Sequence, residues 1–308
     1  MAGILVIGSS NIDLIMKMQH LPQTGETVTD CSFMQTFGGK GANQAVGAAR
    51  SGGKVTFVSC VGDDAYGKAM IENLSRDHIN VNFVWKEQDI PTGTALIMIG
   101  SRGENYISVA PGANYRMTRE SIDKVREVIK ESSLVVLQYE ILPDTLEYIV
   151  NLCHGTYVPV LLNLAPARKI SSGALKKLKY LVVNETEARF LAETKKVDPS
   201  NVNTIAGKLL DLGPEIVIIT LGESGSYIAS RSGVMDVPAF RVTAVDTTAA
   251  GDVYCGALAT ALVENRALGD AVLFASAAAA LSVTRLGAQP SAPFRNEIDE
   301  FIRKNIKG

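Results

Sequence analysis

Short runs of apolar, mostly β-branched residues recur along the chain with helical stretches between them, and this rhythm limits the possible folds more than any other feature. The runs are GILVIGSS (3–10), VTFVSCVG (55–62), LVVLQ (134–138), VPVLLN (158–163), YLVVN (180–184) and EIVIIT (215–220). A run that is apolar on both faces must be covered on both faces, which is the situation of a strand in a buried parallel sheet. Parallel strands need crossovers, and helical patterns stand where crossovers are required: 41–51, 65–77, 118–131, 143–154, 201–212, 251–264, 268–284 and 294–304. The order predicts an α/β fold in which a doubly wound, mostly parallel sheet is sandwiched by helices.

Two stretches, 13–37 and 92–110, break the rhythm because they read as hairpin strands without intervening helices; ALIMIGSRGENYISVA carries a turn at Ser101 to Glu104. Together they predict a small antiparallel β sheet. Placed over the carboxyl edge of the main sheet, where open α/β folds bind ligands, it would act as a lid. The expectation is one domain, 1–308, with the lid as its elaboration.

Thirty Lys and Arg face 32 Asp and Glu, a net charge of -2 with no long block of either sign, so neither nucleic acid nor a membrane surface is an expected partner. The longest apolar run, Ala271 to Val283, is short of the roughly 20 residues of a bilayer span and reads as a buried helix. Met1 to Ile7 leads directly into a strand pattern with neither a basic leader nor a cleavage site, so a cytoplasmic setting is expected. Cys31, Cys60, Cys153 and Cys255 lack C-x-x-C spacing, and His20, His78 and His154 are isolated; none is assigned chemistry.

The segment VDTTAAGDVYCGALATAL (245–262) carries the sharpest chemical signal. Small residues from Thr247 to Gly251 lead into a strong helix pattern, so unpaired N–H groups at the helix start can meet an anion. Asp252 in the first turn could take a proton from an attacking hydroxyl while those amides hold the transferred phosphoryl group. A lone Asp there can equally be a helix cap. TFGGKGANQAVGAARSG (36–52) is glycine-rich but lacks G-x-x-x-x-G-K-[ST], so the chain is not a P-loop enzyme. Gly38 and Gly39 can instead let backbone approach a small polar ligand, with Lys40 and Asn43 as donors. In GSSNID, Asn11 and Asp13 lie just past the first predicted strand and suit vicinal hydroxyls, although such residues are often turn formers.

GSSNID, TGETV (24–28), FGGKGANQA, NETEA (184–188), TLGESG (220–225), VDTTAAGD and GAQPS (287–291), in this order and spacing, resemble the ribokinase-like, PfkB-type family of carbohydrate kinases from about residue 4 to the last helix. The resemblance implies an ATP-dependent kinase acting on the 5-hydroxyl of D-ribose. It places Asn11, Asp13, Gly39, Lys40, Asn43 and Glu140 at sugar-binding positions, Asp252 at the catalytic base, and Ala249, Ala250, Gly251 and Asp252 at the anion hole. Asn184, Glu187, Thr220, Gly222, Gly225, Gly251 and Ser276 fall on the ATP site, with Glu187 acting on Mg²⁺ through water. Asp246 and Ser291, with Thr248, Ser282, Arg285 and Gly287, fall on the ligands of an activating monovalent cation, K⁺. A homodimer through the lid is also implied. Cys255 and Ser276 depart from the Asn or His often found at their positions in the family.

Three alternatives stand beside this reading: a kinase for 2-deoxyribose, a ketohexose or a nucleoside; a nicotinamide dehydrogenase; and a non-catalytic sugar sensor. The dehydrogenase is weakened because no G-x-G-x-x-G follows the first strand. The sensor is disfavoured by the intact Gly251, Asp252 and Glu187.

Overall fold

The computed structural model describes residues 3–306; Met1, Ala2, Lys307 and Gly308 lie outside the described residues. Its strands are β1 (Ile4–Ile7), β2 (Asn11–Lys17), β3 (Ser32–Gly38), β4 (Val55–Gly62), β5 (Asn80–Glu87), β6 (Gly93–Ile99), β7 (Asn105–Ala110), β8 (Leu134–Gln138), β9 (Val160–Asn163), β10 (Tyr180–Asn184), β11 (Ile216–Thr220), β12 (Ser226–Ser230) and β13 (Gly233–Val237). Its helices are α1 (Lys40–Arg50), α2 (Ala65–Arg76), α3 (Arg119–Asp123), α4 (Arg126–Lys130), α5 (Pro143–Gly155), α6 (Ser172–Leu175), α7 (Glu185–Leu191), α8 (Val202–Asp211), α9 (Ala250–Val263), α10 (Leu268–Ser282) and α11 (Arg295–Ile306).

Nine strands form the main sheet in the order β13-β12-β11-β10-β9-β8-β1-β4-β5. Every pair from β11 to β5 is parallel, and β12 and β13 add an antiparallel end. The chain runs outward from β1 through β4 and β5, then returns to lay β8 on the other side of β1. The carboxyl ends of β1 and β8 therefore diverge at a topological switch point, the crevice that open α/β sheets use for ligands. Alternate residues of β1 face opposite sides: Leu5 and Ile7 join a core with Ile149 of α5 and Leu209 of α8, while Ile4 and Val6 join one with Leu258 of α9 and Phe274 of α10. Among the described residues no helix is long and apolar enough to cross a membrane.

The smaller sheet has the order β3-β2-β6-β7. Its outer pairs are antiparallel, as the hairpin patterns predict, and its central pair, β2 with β6, is parallel. The turn expected at Ser101 to Glu104 closes β6 onto β7 through Gly100 N to Glu104 O at 2.9 Å. Asn11 and Asp13 prove to lie within β2, the first strand of this smaller sheet, rather than in a turn after β1. The single helix expected over 118–131 is two, because Val125 (φ -111°, ψ 13°) interrupts it; Thr118 and Ser121 cap the first piece reciprocally.

Candidate functional site

At the switch point, Ser9 Oγ donates to Glu140 Oε2 at 2.5 Å, and the Lys40 amide donates to the same oxygen at 3.0 Å. This joins the segment after β1, the second residue beyond β8 and the start of α1. The approach is close enough to require glycine at Gly41, where a Cβ would stand 2.6 Å from the Gly8 carbonyl carbon. Gly39 opens α1 at φ 88°, a conformation that disfavours any side chain.

From α1, Asn43 Nδ2 donates to Asp252 Oδ2 at 3.1 Å and Gln44 Nε2 to Asp252 Oδ1 at 3.0 Å. Asp252 is only 4% exposed, and its carboxylate makes no cap bond to its own helix, so the capping alternative fails. Ala249 precedes α9 in the left-handed region at φ 59°. The first backbone bond of the helix runs from Val253 N to Ala249 O at 2.9 Å, and the Gly251 and Asp252 amides have no acceptor among the described residues. A Cβ on Gly251 would meet nothing within 4 Å. Two free amides therefore border open space beside a fixed carboxylate, an arrangement suited to a phosphoryl oxygen.

The smaller sheet brings β2 to the same place. Asn114 Nδ2 donates to Asn11 Oδ1 at 2.8 Å, while Asn114 Oδ1 accepts from Ser10 N at 2.8 Å. With its oxygen engaged, Asn11 offers its amide group as a donor. Burial, reinforced by the charges of Glu140 and Asp252, raises the Asp13 carboxyl to about 7, against the pull of Lys40. The Lys40 ammonium is held above the usual lysine range chiefly by Asp252, with Glu140 and Glu187 adding to the effect. Asn43 Oδ1 is buried without a hydrogen-bond partner among the described residues, an unused acceptor.

On the other flank, Asn184 ends β10 and caps α7: its Oδ1 accepts from Glu187 N at 2.9 Å, and Glu187 Oε2 accepts from Asn184 N at 2.8 Å. Burial raises the Glu187 carboxyl, partly opposed by that backbone donor. Thr220, beside Asn184 in register, ends β11, and the turn that follows needs glycine at Gly225 (φ 91°), where a Cβ would lie 2.2 Å from Val237 O. Gly222 (φ 53°) opens the same turn. Ser276 on α10 buries a hydroxyl with no partner.

Asp246 Oδ1 accepts from Thr248 N and its Oδ2 from Gly287 N, both at 2.9 Å, so the loop before α9 is tied to the loop after α10. Burial raises the Asp246 carboxyl, but these bonds outweigh it and hold the group below its ordinary range. Ser282 and Ser291 hydroxyls donate to backbone carbonyls, Ala279 O at 2.8 Å and Ala288 O at 2.7 Å, which leaves their oxygen lone pairs free. Arg285 turns its guanidinium to Glu297 at 2.5 Å. The donor set is all oxygen, as a hard monovalent cation requires. Four carboxylates, Asp13, Glu140, Glu187 and Asp252, surround the single ammonium of Lys40, a negative surplus compatible with Mg²⁺ arriving alongside a nucleotide.

Sequence reasoning missed Ser9, Gln44, Asn114, Gln138 and Asn163, which hold the expected residues in place. Gln44 had a local signal, since it follows Asn43 on the same helical turn; the others become visible only when distant strands meet.

Residues 1–295 match the pfkB family of carbohydrate kinases. The chain is 36% identical over 297 residues to the ribokinase of Haemophilus influenzae, covering 96% of this chain and 97% of that one. It is 37% identical over 307 residues to the deoxyribokinase of Salmonella typhi, covering 98% and 99%. The structure of the Arabidopsis thaliana ribokinase complexed with ribose and ATP superposes with a TM-score of 0.91 at 30% identity, over 98% of this chain and 99% of the other. A family match across nearly the whole length, joined to a carboxylate and free amides at the switch point, leaves one conclusion: the chain belongs to the pfkB family of carbohydrate kinases.

Proposed function

We propose that the protein is a ribokinase that transfers the γ-phosphoryl group of ATP to the 5-hydroxyl of D-ribose. The observation that carries this reading is the Asp252 carboxylate, held by Asn43 and Gln44 beside the two unbonded amides of Gly251 and Asp252. Asp252 accepts the proton of the 5-hydroxyl as its oxygen attacks phosphorus. The turn of Ala249, Ala250, Gly251 and Asp252 takes up charge on the phosphoryl oxygens. Asn11, Asp13, Gly39, Lys40, Asn43 and Glu140 hold the sugar hydroxyls. Asn184, Thr220, Gly222, Gly225, Gly251 and Ser276 line the nucleotide side.

Glu187 would hold Mg²⁺ through water, and Asp246 and Ser291, with backbone oxygens of Thr248, Ser282, Arg285 and Gly287, would hold K⁺. Bound there, the divalent ion neutralises phosphate charge and the monovalent ion adds positive charge behind the 246–252 turn. The protein's own part is already in place, since Asp246 fixes that turn through Thr248 and Gly287. The smaller sheet closes over the sugar to exclude water and pairs two copies into a homodimer.

Asn11 favours ribose over 2-deoxyribose. Its donor group, turned outward by Asn114, would be left unpaired against a missing hydroxyl, at about 1–3 kcal/mol. A coupled ADP-release assay with ribose, 2-deoxyribose, fructose and adenosine, in K⁺ and in Na⁺, tests the assignment. Ribose in K⁺ is expected to give the highest kcat/KM, about tenfold or more above 2-deoxyribose. A preference for 2-deoxyribose would move the protein to the other branch, and equal rates in K⁺ and Na⁺ would remove the cation from the reading.

A further inference from the structure

Asp252 is held from below by a chain of side-chain amides that the sugar has no need of. Gln44, fully buried, gives both hydrogens of its amide away: one to Asp252 Oδ1 at 3.0 Å and one to Asn163 Oδ1 at 3.1 Å. Its own carbonyl oxygen accepts from Gln138 Nε2 at 2.7 Å. Asn163 is oriented in turn because its Nδ2 donates to Val182 O at 3.3 Å. A backbone carbonyl cannot change its polarity, so the direction of the whole chain is set at Val182. Turning the Gln44 amide over would place its oxygen against two acceptors, Asp252 Oδ1 and Asn163 Oδ1, and its NH₂ against the NH₂ of Gln138. The elements involved, β8, β9, β10, α1 and α9, meet at the carboxyl edge of the sheet, far apart in sequence.

We propose that Gln44 is a positioning residue for the base: the amide relay from Val182 through Asn163 and Gln44, closed from the other side by Gln138, fixes the rotation of the Asp252 carboxylate. This rests on the kinase reading above. Donors aimed at both carboxylate oxygens fix its plane and leave the remaining lone pairs for the open space beside Gly251. The other charged or titratable groups near Asp252 are Lys40 on α1, Asp13 on β2, Glu140 after β8, Glu187 on α7 and Cys255 on α9. Of these, Asp13 faces the sugar, so its titration enters through sugar binding, whereas kcat at saturating sugar and ATP reports the bound enzyme.

The test is the pH dependence of kcat in Gln44→Glu, with sugar KM and thermal unfolding measured in parallel. A second carboxylate within hydrogen-bond distance makes the pair share a proton and pushes the ionisation of the base upward. The acid limb of kcat is expected to move up by at least one pH unit, with activity returning at higher pH and sugar KM changed less than threefold. An unmoved limb with a lower plateau overturns the proposal, because it is what loss of packing alone produces. If Gln44→Glu does not fold, Gln138→Met reads the same quantity one bond further away. It removes one of the three bonds that orient the Gln44 amide, so the limb should rise by a few tenths of a pH unit or more, and an unmoved limb again overturns the relay. The functional reading fails separately: a wild-type protein with no sugar-dependent ADP release at any pH sinks both.

Discussion

The floor of the candidate site and the smaller sheet beside it bring residues to one place but are built in opposite ways. On the floor, α1 and α9 touch through glycines: a Cβ on Gly256 would lie 2.5 Å from both Ala48 N and Gln44 O, and one on Gly47 would lie 3.1 Å from Val253 Cα. Asp252 and the amides that hold it are consequently fixed before any ligand arrives. In the smaller sheet the end near β1 is anchored, through Asn114 and through Thr92 bonded to Gly62 and Asp64, and its far strands expose Phe33, Tyr106 and Ile107. On the proposed function, chemistry that must be placed to a fraction of an ångström sits on the close-packed element, and enclosure on the other.

The largest expected effect strikes the floor directly. Asp252→Asn removes the proton acceptor while keeping the shape, and kcat should fall by about a thousandfold, within the range typical of a general base. The asparagine side chain has one acceptor oxygen for the two donors of Asn43 and Gln44, so a modest drop in Tm should accompany the loss. Full turnover in this variant would remove the base assignment and, with it, the distinction between floor and cover.

Two glycines of α9 sharpen the contrast within a single helix. Gly256→Ala forces backbone atoms of α1 and α9 apart, which should cost about 1–3 kcal/mol, lower Tm by several degrees and reduce kcat by about 10- to 100-fold as Asn43 and Gln44 shift. Gly251→Ala places its methyl in open space, so Tm should hold while the phosphoryl group loses room and activity falls. Calorimetry and steady-state kinetics on both variants separate packing from site occupancy. Equal Tm losses in the two would contradict the close-contact account.

The same division decided what could be read in advance. VTFVSCVG, LVVLQ and YLVVN form strands over the residues expected, because a strand covered on both faces leaves its whole length apolar. β5 was not legible: NVNFVWKE, at the sheet edge, mixes exposed polar residues with its one fully covered position, Val84. The β12 and β13 hairpin was not expected either: SYIAS is buried but short and rich in Ser and Ala, and GVMDV lies largely exposed at the sheet edge. Within the site, Lys40, Asn43, Gly251 and Asp252 announce themselves through local glycine and helix-start patterns. Gln44 meets Asp252 across 208 positions and Asn163 across 119, and Asn114 meets Asn11 across 103, so no local window contains these pairs. Residues proposed to touch ligand were legible from their own segments; residues that orient them depended on the tertiary fold.

A smaller effect should appear at the junction of the two regions. Asp13, raised to about 7 in the free protein, would on the proposed function accept hydrogen bonds from sugar hydroxyls, which favour its ionised form. Sugar binding should therefore release a proton, and the sugar KM should rise about tenfold between pH 8 and pH 6 with little change in saturated kcat. For folding the sign is reversed. The native carboxyl keeps its proton between 3.8 and about 7 where the unfolded chain has lost it, so this group's contribution to stability falls as pH rises through that window. Calorimetric titration in two buffers of different ionisation enthalpy measures the proton directly, and no release near pH 6.5 would contradict the charge balance at the junction.

The least expected effect on chemistry comes from the far end of the smaller sheet. Residues paired in register share a face, so Met34, Ile15, Ile97 and Ile107 form an apolar row across all four strands on the side that carries Asn11 and Asp13. Ile107, on the edge strand β7, is 56% exposed, and Phe33 and Tyr106 on the opposite face are 63% and 60% exposed. Apolar groups on both faces and unpaired strand edges favour burial by the proposed second copy, in which this row would pack against its equivalent. Ile107→Lys should halve the mass measured by light scattering at micromolar concentration while leaving kcat within about threefold, because the residue lies four strand positions from the register of Asn11. A wild-type protein that already runs as a monomer would show that the exposed row serves closure alone. A dimer indifferent to the charge would place the contact on another surface, and the cover would then be free to move without breaking the assembly.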